Sequence, residues 1–144
     1  MKFSMTQPTN ISQVIVILVI LLLFVGIATL LISARFYKIE ITDNQFKIKG
    51  LVYKTILDLD EIDIANVRLI NMNEEQINMD IRTNGIGLPG LLVGWFRGDG
   101  EKYKLYVTDK ENVLYIPTKK GYTILISTVA GEDIIKELDM QKNR

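Results

Sequence analysis

Two hydrophobic patterns divide the chain. From Val14 to Ile32 the run VIVILVILLLFVGIATLLI carries no charge, whereas from Lys38 onward apolar and polar side chains alternate. The first run, roughly 19 residues, makes a helix that covers the ~30 Å hydrocarbon core of a bilayer at about 1.5 Å per residue. It has no polar face, unlike a helix that packs on a soluble core. The competing reading is a cleaved secretory signal, whose apolar region is usually about 7–15 residues and ends at a small-x-small site. Here the run is longer, and only Ser33-Ala34 offers small residues at its end. The pattern predicts an N-terminal tail (1–13), a transmembrane helix (14–34) and one domain (35–144).

Within that domain the period is two, which is the signature of half-buried strands. Ile39 and Ile41, then Phe46 and Ile48, share a face across a turn at Thr42–Gln45 and predict a hairpin with Lys47 and Lys49 pointing outward. After Gly50, a strand is expected over Tyr53 to Leu59. Asp60, Glu61 and Asp63 then start a short helical turn that leads into a strand over Val67 to Met72. Ile77, Met79 and Ile81 alternate with Asn78, Asp80 and Arg82, which continues the strand reading. Gly85, Gly87, Gly90, Gly94 and Pro89 make Arg82 to Phe96 a shaped loop followed by a strand. Two placements of its apolar residues stay open: packed into the domain's own core, or exposed toward a bilayer or partner. Gly98-Asp99-Gly100 predicts a tight turn, followed by alternation at Tyr103, Leu105 and Val107. The next strand covers Val113 to Thr118, with Pro117 at a sheet edge or strand end. Another covers Tyr122 to Ser127. Ile134, Ile135 and Leu138 then stand at helical spacing in a C-terminal helix over Glu132 to Met140, with a frayed tail from Gln141.

Composition narrows the function. Of 144 residues, lysine plus arginine equals aspartate plus glutamate at 17 each, so no overall field favours nucleic acid. Cysteine and histidine are absent. That removes disulfides, thiolate nucleophiles, imidazole bases and the usual zinc or haem ligands, and no cofactor is expected. The flanks of the apolar run give its orientation. Arg35, Lys38, Lys47 and Lys49 follow it and only Lys2 precedes it, which favours a cytoplasmic C-terminal domain on a single-pass cell-membrane protein.

Three candidate sites fall on their residues. Asp58, Asp60, Glu61 and Asp63 suggest a calcium loop, but Ile62 and Asp63 occupy positions that need an oxygen ligand and a glycine. The glycine-rich stretch lacks the G-x-G-x-x-G order or lysine of a phosphate cradle. The serines are Ser4, Ser12, Ser33 and Ser127, with no histidine to activate any of them. The expectation is a protein that is not an enzyme.

The motifs Arg82-x-Asn84-Gly85-x-Gly87-x-Pro89-Gly90, Gly94-Trp95-Phe96, Tyr106-Val107-Thr108-Asp109 and Ile116-x-Thr118-x-x-Gly121-Tyr122, with a serine before the last helix, resemble the bacterial PH-domain family, especially its membrane-attached members. Leu91 departs from the aromatic residue common in the family after the proline-glycine pair. The resemblance implies an N-terminal transmembrane helix plus a mainly-β domain: a PH-like antiparallel barrel of about seven strands with a C-terminal helix. It also implies a non-catalytic interaction or assembly module, with a membrane protein or its own copies as partner. The alternative is a lipid or small-ligand sensor. The candidate surface comprises Lys47, Lys49 and Lys54, which could meet anionic headgroups, and Arg82, Asn84, Leu88, Leu91 and Trp95 of the glycine-rich segment.

Overall fold

A computed structural model describes residues 10–33, 35–50 and 52–142. The chain forms two compact units, 1–33 and 34–144. The first is helix α1, Asn10–Ser33, with no buried residue. It is long and apolar enough to cross a membrane. Among the described residues it includes Asn10, Ile11, Ser12 and Gln13 ahead of the apolar run. Thr29 and Ser33 return their hydroxyls to the carbonyls of Val25 and Thr29, at 2.8 and 2.7 Å, so neither presents an unsatisfied donor.

The second unit is the mostly-β domain. A three-stranded antiparallel sheet of β1 (Tyr37–Thr42), β2 (Gln45–Gly50) and β3 (Lys54–Asp58) runs in order β1-β2-β3. The expected hairpin is present with Ile39 opposite Ile48 and Ile41 opposite Phe46. Two short 3-10 turns, Leu59–Glu61 and Ile64–Asn66, take the acidic run. There the side chain of Glu61 accepts from the Asp58 amide, at 3.1 Å. The remaining strands are β4 (Arg68–Ile70), β5 (Ile81–Leu88), β6 (Leu91–Gly98), β7 (Glu101–Val107), β8 (Val113–Pro117) and β9 (Thr123–Ser127). They form a second sheet in the order β4-β8-β9-β7-β6-β5. Helix α2, Gly131–Lys142, closes the chain.

Three features depart from the pattern read off the sequence. Residues 77–80 alternate in burial but form no strand: Ile77 and Met79 pack against the core cluster that contains Phe96, Tyr103 and Leu105, while the segment crosses the end of β6. Only Asp80 reaches a strand there, donating to the carbonyl of Arg97 at 2.9 Å. Residues 81–98 are a long hairpin, not a loop followed by a strand. Pro89-Gly90 is its two-residue turn, with Gly90 at φ +72°, as a type II turn requires at that position. Finally, β9 runs parallel to β7 because it inserts between β7 and β8. Its Thr123, Ile124, Leu125 and Ile126 are all buried, so this run takes the position covered on both faces. The other pairs are antiparallel, and the family of strands is larger than expected, nine among the described residues. β8 ends at Pro117, as the missing N–H dictates.

Each face of the second sheet has its own core. Leu105, Val107, Leu125, Val113 and Phe96 lie on one face, under Met72 and the 77–80 segment. Tyr106, Ile126, Ile124, Leu114 and Ile116 lie on the other, all at most 1% exposed. Thr55 of β3 and Tyr106 of β7 share a 2.6 Å hydroxyl hydrogen bond that joins the two sheets.

Candidate interaction groove

The inner face of β1 is incompletely covered. Tyr37, Ile39 and Ile41 are half-buried, whereas Phe46 and Ile48, opposite on β2, are wholly buried. The difference arises because β1 is the sheet's edge and α2 stands off from it. Between them lies a groove of about 580 Å³, within the size range of ligand sites. One wall is β1 with Arg35, the floor is Tyr106, Thr108, Ile126 and Ser127, and the far wall is Ala130, Asp133, Ile134 and Glu137 of the α2 region.

Each wall has a local reason. The Tyr37 ring meets Tyr106 edge-on with centroids 4.8 Å apart and lies over Gly50, where a β-carbon would collide with it. Its hydroxyl is a buried polar atom with no hydrogen-bond partner among the described residues. Burial raises the Tyr37 phenol pKa well above its ordinary value, and burial pushes Tyr106 up to about 12. Both therefore stay protonated at neutral pH and are not bases. Ser127 fixes the floor's rim: its hydroxyl oxygen accepts from the amides of Thr108 and Asp109 at 3.0 Å each, and its O–H donates to the Asp109 carbonyl at 2.5 Å. The serine singled out before the last helix thus holds the β7–β8 turn. On α2, Leu138 is fully buried, which directs Ile134 and Glu137 toward the groove. The arrangement offers apolar contact and hydrogen bonding and assembles no nucleophile with a base.

The residues proposed from sequence fall in separate places. Lys49 and Lys54 are cross-strand neighbours on the outer face of the first sheet, and Lys38 continues the same row on β1. Lys47 stands one row away, and Lys49 is paired with Glu40 at 2.6 Å. Asn84 and Trp95 are paired positions of the β5–β6 hairpin; Asn84 accepts from the Tyr53 hydroxyl at 3.0 Å. Trp95 stacks edge-on against Tyr122 at 4.9 Å, with the Lys104 ammonium 5.1 Å from its ring. A second cavity of about 370 Å³ lies beside Trp95 and Tyr122, rimmed by Arg97, Lys102 and Lys120. Arg82 is exposed and projects over Gly87. Leu88 and Leu91 face each other across the turn, but only Leu88 is exposed; Leu91 is buried at 2%. Within this segment Leu91, Val93 and Phe96 are in the core and Leu88 is exposed.

Sequence reasoning missed the groove because it depends on which strand is an edge and where α2 lands. The Pro-Gly centre of the β5–β6 hairpin was visible, with Gly85 and Gly94 placed symmetrically about it. Among the described residues no three acidic, cysteine or histidine side chains converge on a metal position.

No curated protein and no solved structure matches this chain. A family model described as bacterial PH domain matches residues 37–142, the whole of both sheets and α2. The β domain that starts where the apolar helix ends is therefore a member of the bacterial PH-domain family.

Proposed function

We propose that this protein is a single-pass membrane protein whose PH-like domain acts on the cytoplasmic side as a non-catalytic interaction module, binding a membrane protein or its own copies. The observation that carries this reading is the groove beside the edge strand β1, which pairs on one side only among the described residues and lines the groove with half-buried Tyr37, Ile39 and Ile41. Its lining begins at Arg35, two positions after the last residue of α1, so a partner confined to the bilayer is within reach of the chain. Family membership and the apolar helix are consistent with it. Crosslinking in native membranes followed by mass spectrometry tests the reading. The expected result is a recovered protein neighbour linked to the domain; a strictly monomeric protein with no neighbour rejects it.

A second reading rests on the row Lys38, Lys49 and Lys54, three ammonium groups abreast on one sheet face. Near anionic lipid each contributes about 1 kcal/mol. A fragment beginning at Arg35, which spans the second compact unit, would then float with anionic vesicles and not with neutral ones. Equal, negligible flotation with both removes this reading.

A further inference from the structure

The geometry points to β1 as a self-pairing edge, through which two copies of this chain join antiparallel about a two-fold axis at Ile39. This rests on the reading that the domain binds protein partners, and it names the partner as a second copy.

The first argument is the unpaired backbone. Among the described residues β1 pairs only with β2, so the other side of the strand offers its N–H and C=O groups to a further strand. The opposite edge of the sheet is different. At β3 the Lys54 carbonyl accepts from the Lys104 ammonium at 3.3 Å, and Tyr53 beside it is bonded to Asn84. Among the described residues β1 makes no hydrogen bond to the second sheet; it meets that sheet through the edge-on contact of the Tyr37 ring with Tyr106, which leaves the strand's outer backbone edge untied.

The second argument is charge complementarity, and it selects the register. A two-fold axis normal to the sheet keeps both inner faces on one side, so it must pass through a residue and not between two. An axis at Lys38 sets that lysine against its own copy, and an axis at Glu40 sets two carboxylates together; both are unfavourable. With the axis at Ile39, Lys38 faces Glu40 of the second copy, twice by symmetry. Tyr37 then faces Ile41 on the inner side, Ile39 faces itself, and just beyond the strand Arg35 falls opposite Asp43. Every charged position meets its opposite, and the half-buried apolar row is continued across the junction. If both copies are anchored in one bilayer, their effective concentration is raised as well.

The chain has no cysteine, so single substitutions report the pairing in the full-length protein in native membranes. Ile39→Cys is expected to give a disulfide-linked dimer on mild oxidation, while Ile56→Cys on the β3 edge remains monomeric. In the Ile39→Cys background, Lys38→Glu alone or Glu40→Lys alone opposes like charges twice and lowers dimer yield about tenfold. Co-expressing the two variants restores opposite charges at both positions, and a mixed dimer should return. That rescue separates loss of the interface from loss of folding. Where Ile39→Cys fails to accumulate, co-expressed Phe36→Cys and Thr42→Cys, both at exposed positions, read the same register. Absent crosslinks at both sites, equal crosslinking at Ile56, or charge variants without effect would overturn the inference. If β1 is silent while membrane crosslinking still recovers another protein, only this inference fails; if no neighbour is recovered at all, the interaction-module reading fails with it.

Discussion

Single residues set tolerances that larger patterns do not show. Gly94 has φ +114°, and a β-carbon there would strike the carbonyl of Asn84 and the backbone of Gly85 on the paired strand. Gly94→Ala should therefore lower stability by about 2 kcal/mol or more, seen as a reduced thermal midpoint with the secondary structure unchanged below it. The hydroxyl pair Thr55–Tyr106 offers a second test. Tyr106→Phe leaves the Thr55 hydroxyl buried without its 2.6 Å partner and should cost about 1–3 kcal/mol. The phenol's pH dependence has a definite sign. Its folded pKa, pushed up to about 12 from 10.0, means that the folded state holds the proton more tightly than the unfolded chain. Its contribution is fully present below pH 10 and is lost as pH rises toward 12. Denaturation midpoints measured across that interval should fall less steeply in Tyr106→Phe than in the parent protein. At this scale the sequence marks Gly85, Gly87 and Gly90 as conformationally special, whereas the demand for glycine at position 94 and its opposition to Gly85 across the ladder come from the structure.

Elements follow period where a partner strand is available, and the exceptions show why. The β1–β2 hairpin was legible because Ile39, Ile41, Phe46 and Ile48 fix both its register and its buried face. Residues 77–80 carry the same alternation, yet it records burial of Ile77 and Met79 against the core and no ladder. Hydrophobic period reports which side chains meet the interior; backbone pairing depends on a neighbour far away in the sequence. For α2, the spacing of Ile134, Ile135 and Leu138 predicted the helix, and Leu138 alone of the three is wholly buried. Leu138→Ala should cost about 2–5 kcal/mol through the cavity it leaves. Met140→Ala, at an exposed position, should change stability by less than about 0.5 kcal/mol. Parallel denaturant titrations of the two variants check the contrast.

For the molecule as a whole, the proposed role rests on what α1 does. If it is a retained anchor, peptide mapping of protein extracted from membranes recovers the apolar run joined to the β domain; a cleaved signal would yield a chain lacking that run. With the positive flank inside, a C-terminal fluorescent fusion is expected to glow in the cytoplasm and a phosphatase fusion at the same end to be inactive. The reverse pattern would place the groove outside the cell and change the set of partners available to it.

The sequence by itself determined the apolar helix, the β character of the domain, the first hairpin, the C-terminal helix and the family resemblance. These follow from local period and turn chemistry, which neighbouring residues dictate. Tertiary structure alone decided that β9 inserts beside β7, that β1 is left as an edge, and that α2 stops short of it to leave a groove. The physical reason is that an edge is defined by the strand that does not arrive, and the alternating pattern of β1 is the same whether its second side is paired or free.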